Sequence, residues 1–300
     1  MIDPRAKATK EALPRRLPPW LKRPLVATAA TRQLERSLRE DCLHTVCEEA
    51  HCPNSGECFT RGTATFLILG DICTRSCGFC GIAHGSPRPV DADEPRRVIA
   101  AIRRMGISHA VATSVTRDDL PDGGASLFAE IIERARRELP AVSMEVLVPD
   151  FNGNRTALNA VLAAGPNVFN HNVETVARLY PAVRPQADYQ RSLTMLAYAA
   201  ARGPDVKVKS GIMVGLGESY AEVESTLSDL RSFGCEIVTI GQYLRPSQSQ
   251  LPVVEYITPE QFAAYRDLAL GLGFFGVSSG PFVRSSYHAE EFVKTNRPGN

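Results

Sequence analysis

Thr63-Ala-Thr-Phe-Leu-Ile-Leu69-Gly-Asp-Ile-Cys73-Thr-Arg-Ser-Cys77-Gly-Phe-Cys80 joins a strand signal directly to a cysteine loop. Its first seven residues run apolar or β-branched between Gly62 and Gly70, which fits a strand buried on both faces. Three cysteines follow at once, spaced C-x3-C-x2-C, as suits a tight loop wrapped around a metal cluster. In parallel α/β barrels the chemistry gathers at the C-terminal ends of the strands. The cysteine loop begins at such an end.

Strands and helices alternate downstream. Apolar periodicity predicts helices over 94–105, 125–139, 155–163, 173–179, 189–201, 220–233 and 259–272. It predicts strands over 109–115, 143–148, 168–170, 206–214 and 237–242, with 274–277 as a further candidate. Repeated β-then-α units build a parallel sheet with helices packed outside it. Six such units with an irregular end predict an α/β fold, a partial (βα)6 TIM-type barrel. The expected divisions are an N-terminal extension over 1–60, the barrel over 61–279 and a polar, loop-like C-terminal tail over 280–300. Pro18-Pro19-Trp20-Leu21 cannot be helical through its prolines; it reads either as an arm anchored by the tryptophan or as a loose leader. A short helical pattern follows at 31–39.

Within the extension, Cys47, Cys52 and Cys58 are spaced C-x4-C-x5-C, so six of the eight cysteines fall into two differently spaced triplets. Thiolates are soft ligands suited to iron–sulfur clusters, zinc and Cu(I). A cubane cluster normally takes four of them, so three per site leave one iron with a position open for chemistry. Zinc would prefer paired C-x2-C units and a fourth His or Cys. His84 is near enough to serve, which keeps a zinc site open at this point. The remaining two cysteines, Cys42 and Cys235, fit neither triplet, and Cys235 is expected to be a buried apolar filler.

Hydrophobic residues make up 44% of the 300, enough for a large core, and the net charge of +1 gives no strong pull toward nucleic acid or a membrane surface. No stretch is long and apolar enough to span a bilayer, and the N-terminus carries no secretory h-region. The expectation is a cytoplasmic protein. In that reducing compartment, clustered cysteines bind metal or do redox chemistry more often than they form disulfides.

The C-x3-C-x2-C motif, with Phe79 before its last cysteine, resembles the radical S-adenosylmethionine superfamily. The resemblance implies that Cys73, Cys77 and Cys80 hold a [4Fe–4S] cluster whose fourth iron chelates the amino and carboxylate groups of S-adenosyl-L-methionine. Reduction then yields a 5′-deoxyadenosyl radical, chemistry that only a cofactor supplies. Ser210-Gly-Ile-Met-Val-Gly-Leu-Gly-Glu218 is similar to a superfamily segment that borders the adenine, and is otherwise an ordinary strand-to-helix turn. Asn172, Glu174 and Arg191 read as contacts to the ribose or amino-acid part of the cofactor, or else as a helix cap and two surface charges. Arg117-Asp-Asp119, with Asp122-Gly-Gly124 behind it, either lines the pocket or turns the chain.

The first triplet is similar to that of the lipoyl synthase family, in which C-x4-C-x5-C holds an auxiliary [4Fe–4S] cluster. The resemblance covers nearly the whole chain, through Pro19-Trp-Leu21, His44-Thr-Val-Cys-Glu-Glu49, Gly62-Thr-Ala-Thr-Phe66, Thr113-Ser-Val-Thr-Arg-Asp-Asp119, Phe169-Asn-His-Asn172, Gln242-Tyr-Leu-Arg-Pro246 and Arg284-Ser-Ser-Tyr-His-Ala289. It implies that Ser285 is the fourth ligand beside Cys47, Cys52 and Cys58. A hard serine oxygen is mismatched to a soft cluster, which suits an iron that is lost when sulfide is given up. The implied reaction inserts two sulfur atoms, at C6 and C8 of a protein-bound octanoyl-lysine, and consumes two molecules of S-adenosyl-L-methionine. The implied partners are octanoylated lipoyl-carrier proteins (E2 lipoyl domains and the glycine cleavage H protein), a reductant such as ferredoxin or flavodoxin, and an iron–sulfur carrier that rebuilds the auxiliary cluster. Three other readings remain: a biotin-synthase-like sulfur inserter, a peptide-modifying dehydrogenase with a spare cluster, and a zinc-stabilised binding module.

Overall fold

The computed structural model describes residues 17–22, 36, 38–46, 54, 57–58, 63–203 and 205–294. Strands β1 (His44–Thr45), β2 (Thr63–Ile68), β3 (Ile72–Cys73), β4 (Ala83–His84) and β5 (His109–Ser114) open the chain, with helix α1 (Glu94–Met105) before β5. Then come α2 (Ala125–Glu138), β6 (Ser143–Leu147), α3 (Arg155–Ala164), β7 (Val168–Asn170), α4 (Tyr180–Val183), α5 (Tyr189–Ala200) and β8 (Lys207–Val214). The chain continues through α6 (Tyr220–Ser232), β9 (Ile237–Gln242), α7 (Pro259–Gly271), β10 (Gly276–Gly280) and α8 (Ala289–Lys294). One sheet runs β1-β2-β5-β6-β7-β8-β9-β10. The run from β2 to β9 is parallel, as the six expected βα units require, with β10 parallel at one edge and β1 antiparallel at the other.

Successive side chains on a strand point to opposite faces. Phe66, Ile68, Ala112, Val146, Phe169 and Ile240 belong to the apolar layer under the helices. The alternate set faces inward and mixes buried polar residues, Thr63, His109, Glu145, Lys209 and Thr239, with apolar ones such as Val111 and Val168. The polar tail occupies this inner face. A Cβ on Gly241 would stand 2.2 Å from the carbonyl oxygen of Val283, and one on Gly211 would stand 3.1 Å from Ser285 Oγ. Glycine is what lets the tail lie this close to β8 and β9. Helix α8 then closes the N-terminal end of the strands: Thr63 Oγ1 donates to Glu290 Oε2 (3.0 Å) and Lys207 Nζ to the carbonyl of Phe292 (2.6 Å).

The predicted elements appear within one or two residues of their expected ends, with four departures. The last strand, expected over 274–277, runs Gly276–Gly280. The expected helix over 173–179 is not one. Glu174 takes φ 66° and pairs with β8, donating its N–H to Gly211 O (3.0 Å) and accepting from Met213 N (2.8 Å), so only Ala177–Leu179 turns, as a 3₁₀ segment. The tail, expected to be loop-like, ends in α8. Pro19–Leu21 forms a 3₁₀ turn, which proline tolerates at a first position, and Trp20 Nε1 anchors it by donating to Ile257 O (3.1 Å). Most of the pattern at 31–39 lies outside the described residues. Among the described residues, no helix is long and apolar enough to cross a membrane.

Candidate active site

The cysteine loop leaves β2 through Leu69, whose left-handed φ of 68° turns the chain, and whose N–H donates to Glu94 Oε2 (2.9 Å). Cys73 ends β3 opposite His84, and Gly85 N donates to Cys73 O (2.9 Å), so a two-stranded ribbon closes the loop on itself. The loop is bolted to the barrel mouth by backbone bonds: Thr74 N to Thr116 O (3.0 Å), Gly78 N to Val183 O (2.9 Å) and Leu251 N to Gly78 O (2.8 Å). A Cβ on Gly78 would lie 2.9 Å from Ala182 O, so the close approach needs glycine. Phe79 packs into a small apolar cluster of Val183, Leu216, Tyr243 and Val253.

Arg75 holds the loop from below. Its side chain is 4% exposed and donates to both Asp118 oxygens (2.6 and 2.9 Å), to Asp150 Oδ1 (2.7 Å) and to Asn152 Oδ1 (2.8 Å). Burial by itself would raise the Asp150 carboxyl, but the guanidinium overcomes it and holds the group at about 2. Arg191, expected at the cofactor, also binds this network, donating to Asp150 Oδ2 (3.1 Å) and Asn152 Oδ1 (3.3 Å). Arg117 is buried, clamping Asp119 and donating to Leu69 O (3.2 Å), while Asp122 starts α2 by accepting from Gly124 N (2.9 Å) and Ser126 N (2.8 Å).

The thiols suit an iron–sulfur cluster. Cys73 Sγ accepts from Arg75 N (3.4 Å) and Thr116 N (3.3 Å), which neutralises charge on a sulfur ligand. Burial pushes the Cys77 thiol up and the Cys80 thiol to about 11, with the Arg184 cation opposing the rise at Cys77. Coordination to iron favours the thiolate and would offset that burial. Among the described residues, no three His, Cys, Asp or Glu converge as a single bound ion requires; the ligands of a cubane stand farther apart.

Asn172 links this region to the tail. Its Nδ2 donates to Glu174 Oε1 (3.0 Å), its Oδ1 accepts from Ser285 Oγ (2.8 Å), and its carbonyl accepts from Arg184 Nη1 (2.9 Å). Burial raises the Glu174 carboxyl and Arg184 opposes the rise. In the glycine-ended segment, the Glu218 carboxylate accepts from the N–H groups of Gly215 and Leu216, fixing the turn after β8. Cys47 and Cys52 lie outside the described residues. Cys58 is buried, and its segment meets the tail on both sides of Ser285: Asn54 Nδ2 donates to Phe282 O (2.6 Å), and Glu57 accepts from Tyr287 Oη (3.1 Å) and pairs with His288 Nε2 (3.0 Å). Cys235 is fully buried, as expected of a filler, and its thiol is pushed up to about 12 by burial.

The Radical SAM superfamily model matches residues 67–230, and the model for the N-terminal domain of lipoyl synthase matches residues 3–52. A lipoyl synthase of Rubrobacter xylanophilus is 55% identical over 94% of this chain and 88% of its own length. One from Caldanaerobacter subterraneus subsp. tengcongensis is 55% identical over 92% of this chain and 96% of its own. The chain belongs to the lipoyl synthase family. Among solved structures, methylornithine synthase shares the fold at 13% identity with a TM-score of 0.52, covering 88% of each chain. Coproporphyrinogen III oxidase from Escherichia coli does so at 13% identity and 0.51, over 72% of this chain and 55% of its own. Lipoyl synthases are radical enzymes with two [4Fe–4S] clusters and S-adenosyl-L-methionine as cofactors, and the donor chemistry of the Cys73 loop fits the first of these.

Sequence reasoning missed Arg75, Asp150, Arg184 and Glu57. Arg75 sits inside the cysteine motif, a position that could have flagged it. Glu57 likewise stands inside the first cysteine triplet, beside Cys58; Asp150 and Arg184 are brought in by the fold from distant segments and carry no local signal.

Proposed function

We propose that this chain inserts two sulfur atoms into an octanoyl-lysine on a lipoyl-carrier protein, with Cys73, Cys77 and Cys80 holding the radical-generating cluster and Cys47, Cys52, Cys58 and Ser285 holding the sulfur-donating one. When bound, the clusters supply reducing electrons for cleavage of the sulfonium and sulfide for the new C–S bonds. The chain's own task is to hold the reacting parts in place. Arg75 and the Gly78 backbone bonds fix the radical loop, Phe79 shields its apolar side, and Asn172, Glu174 and Arg191 orient the cofactor. The tail covers the inner face of the barrel and excludes water, so that a carbon radical meets sulfur before it meets a competing hydrogen donor.

The observation that carries this reading is the placement of Ser285. The fold lays it beside Asn172 on the barrel's inner face, while the residues on both sides of it bind the segment that ends in Cys58. The proposed divisions follow the same logic: an extension over 1–60 and a tail over 280–300 that together build the second site on a barrel over 61–279. The finer partners are E2 lipoyl domains and the glycine cleavage H protein as substrates, ferredoxin or flavodoxin as reductant, and an iron–sulfur carrier for rebuilding, in a cytoplasmic setting. Anaerobic turnover with an octanoyl-lysine peptide tests the reading. Mass spectrometry should find two sulfur atoms gained and two hydrogens lost; 5′-deoxyadenosine formed with no sulfur in the peptide would reject it.

A further inference from the structure

Glu57 lies next to Cys58 in sequence and touches the tail two and three residues beyond Ser285. Tyr287 Oη reaches Oε1 at 3.1 Å and Oε2 at 3.3 Å, and His288 Nε2 reaches Oε1 at 3.0 Å. The two rings stack with centroids 4.0 Å apart, so they present one rigid polar edge to the carboxylate. His288 holds φ 53°, a left-handed conformation that a residue with a Cβ adopts at a cost. Its other nitrogen faces Glu291 Oε1 at 3.3 Å, on the first turn of α8. The strained residue thus stands where the tail passes from the turns around Ser285 into α8, and the contacts at both ring nitrogens fix its direction.

Glu57 is 38% exposed and His288 22%, so the pair adds little to global stability. A half-exposed contact that holds a strained backbone fits a positioning role better than a role in the core. We propose that Glu57 is a positioning residue that clasps the tail and sets where Ser285 stands relative to Cys58. This rests on the proposed role of Ser285 as a cluster ligand, but the clasp itself is a property of the polypeptide.

The test uses the full chain as wild type, Glu57→Ala, Glu57→Gln, and the reverse-side double variant Tyr287→Phe/His288→Ala. Hydrogen exchange on metal-free protein reads the tail over 282–291. Glu57→Ala and the double variant should exchange there about tenfold faster, while Glu57→Gln, which keeps an acceptor, should stay near wild type. Iron is then counted after reconstitution in a background where Cys73, Cys77 and Cys80 are alanine. About four irons per chain are expected with Glu57 intact or in Glu57→Gln, falling by about half or more in Glu57→Ala. Unchanged tail exchange in both Glu57→Ala and the double variant overturns the clasp, as does an equal effect of Glu57→Gln and Glu57→Ala. If the alanine background with Glu57 intact takes up no iron, the ligand assignment fails, while the exchange result still decides the clasp.

Discussion

The buried ion pair of Glu145 and Lys209 is the strongest single-residue commitment in the barrel. Lys209 Nζ donates to both carboxylate oxygens (2.9 and 3.1 Å), Asn170 Nδ2 adds a third bond (2.9 Å), and both side chains are at most 1% exposed. Burial would raise the Glu145 carboxyl, but Lys209 and then His109 overcome it and hold it at about 2. Removing one partner strands a buried charge, so Lys209→Ala should lose about 3–5 kcal/mol in urea denaturation. The acid limb has a definite sign. A carboxylate lowered in the folded state stabilises fully above its unfolded value of about 4.3 and loses that contribution as pH falls toward about 2. Stability measured from pH 5 down to about 2 should therefore fall more steeply in wild type than in Glu145→Gln. At the second site, Ser285→Ala should leave 5′-deoxyadenosine formation largely intact and slow sulfur insertion by about a hundredfold or more; equal loss of both would make the serine structural.

At the scale of elements, the tail and strands β8 and β9 fit only because Gly211 and Gly241 have no side chains. Gly241→Ala would drive a methyl into the Val283 carbonyl, 2.2 Å away. The expected cost is about 1–3 kcal/mol, with new protease cleavage in the tail and no change in the loop that carries Cys73. The one misjudged helix teaches at this scale too. Val173, Val176 and Leu179 repeat every three residues and mimic a helix face, and all three do pack on the core. The backbone of Glu174, however, finds better partners in β8 than in a helical turn, and strand pairing between distant segments overrides the local period.

For the whole molecule, Asn54 and Glu57 bind the tail over a barrel that already has its Cys73–Cys80 loop. The loop's own fasteners, Thr116, Val183, Leu251, Asp118 and Asp150, all lie within the barrel. A chain ending at residue 280 should therefore keep one cluster and lose the other. Reconstituted iron should fall from about eight to about four per chain; a fall to zero would mean that the tail holds the barrel together.

The sequence determined the barrel and its strand ends, because hydrophobic period and length suffice to place βα units and each strand carries its own apolar signal. It also determined the Cys73–Cys80 loop, whose three thiols lie within eight residues and sit just past a strand end. Tertiary structure alone decided what lies around them. Arg75 meets Asp150 across 75 positions, Ser285 meets Asn172 across 113, and Glu57 meets His288 across 231. Polar contacts of that range leave no period or spacing in the chain. The first joins two loops at the mouth of the barrel, and the other two form because, among the described residues, the tail lies against the inner face of the closed strands and the segment ending in Cys58.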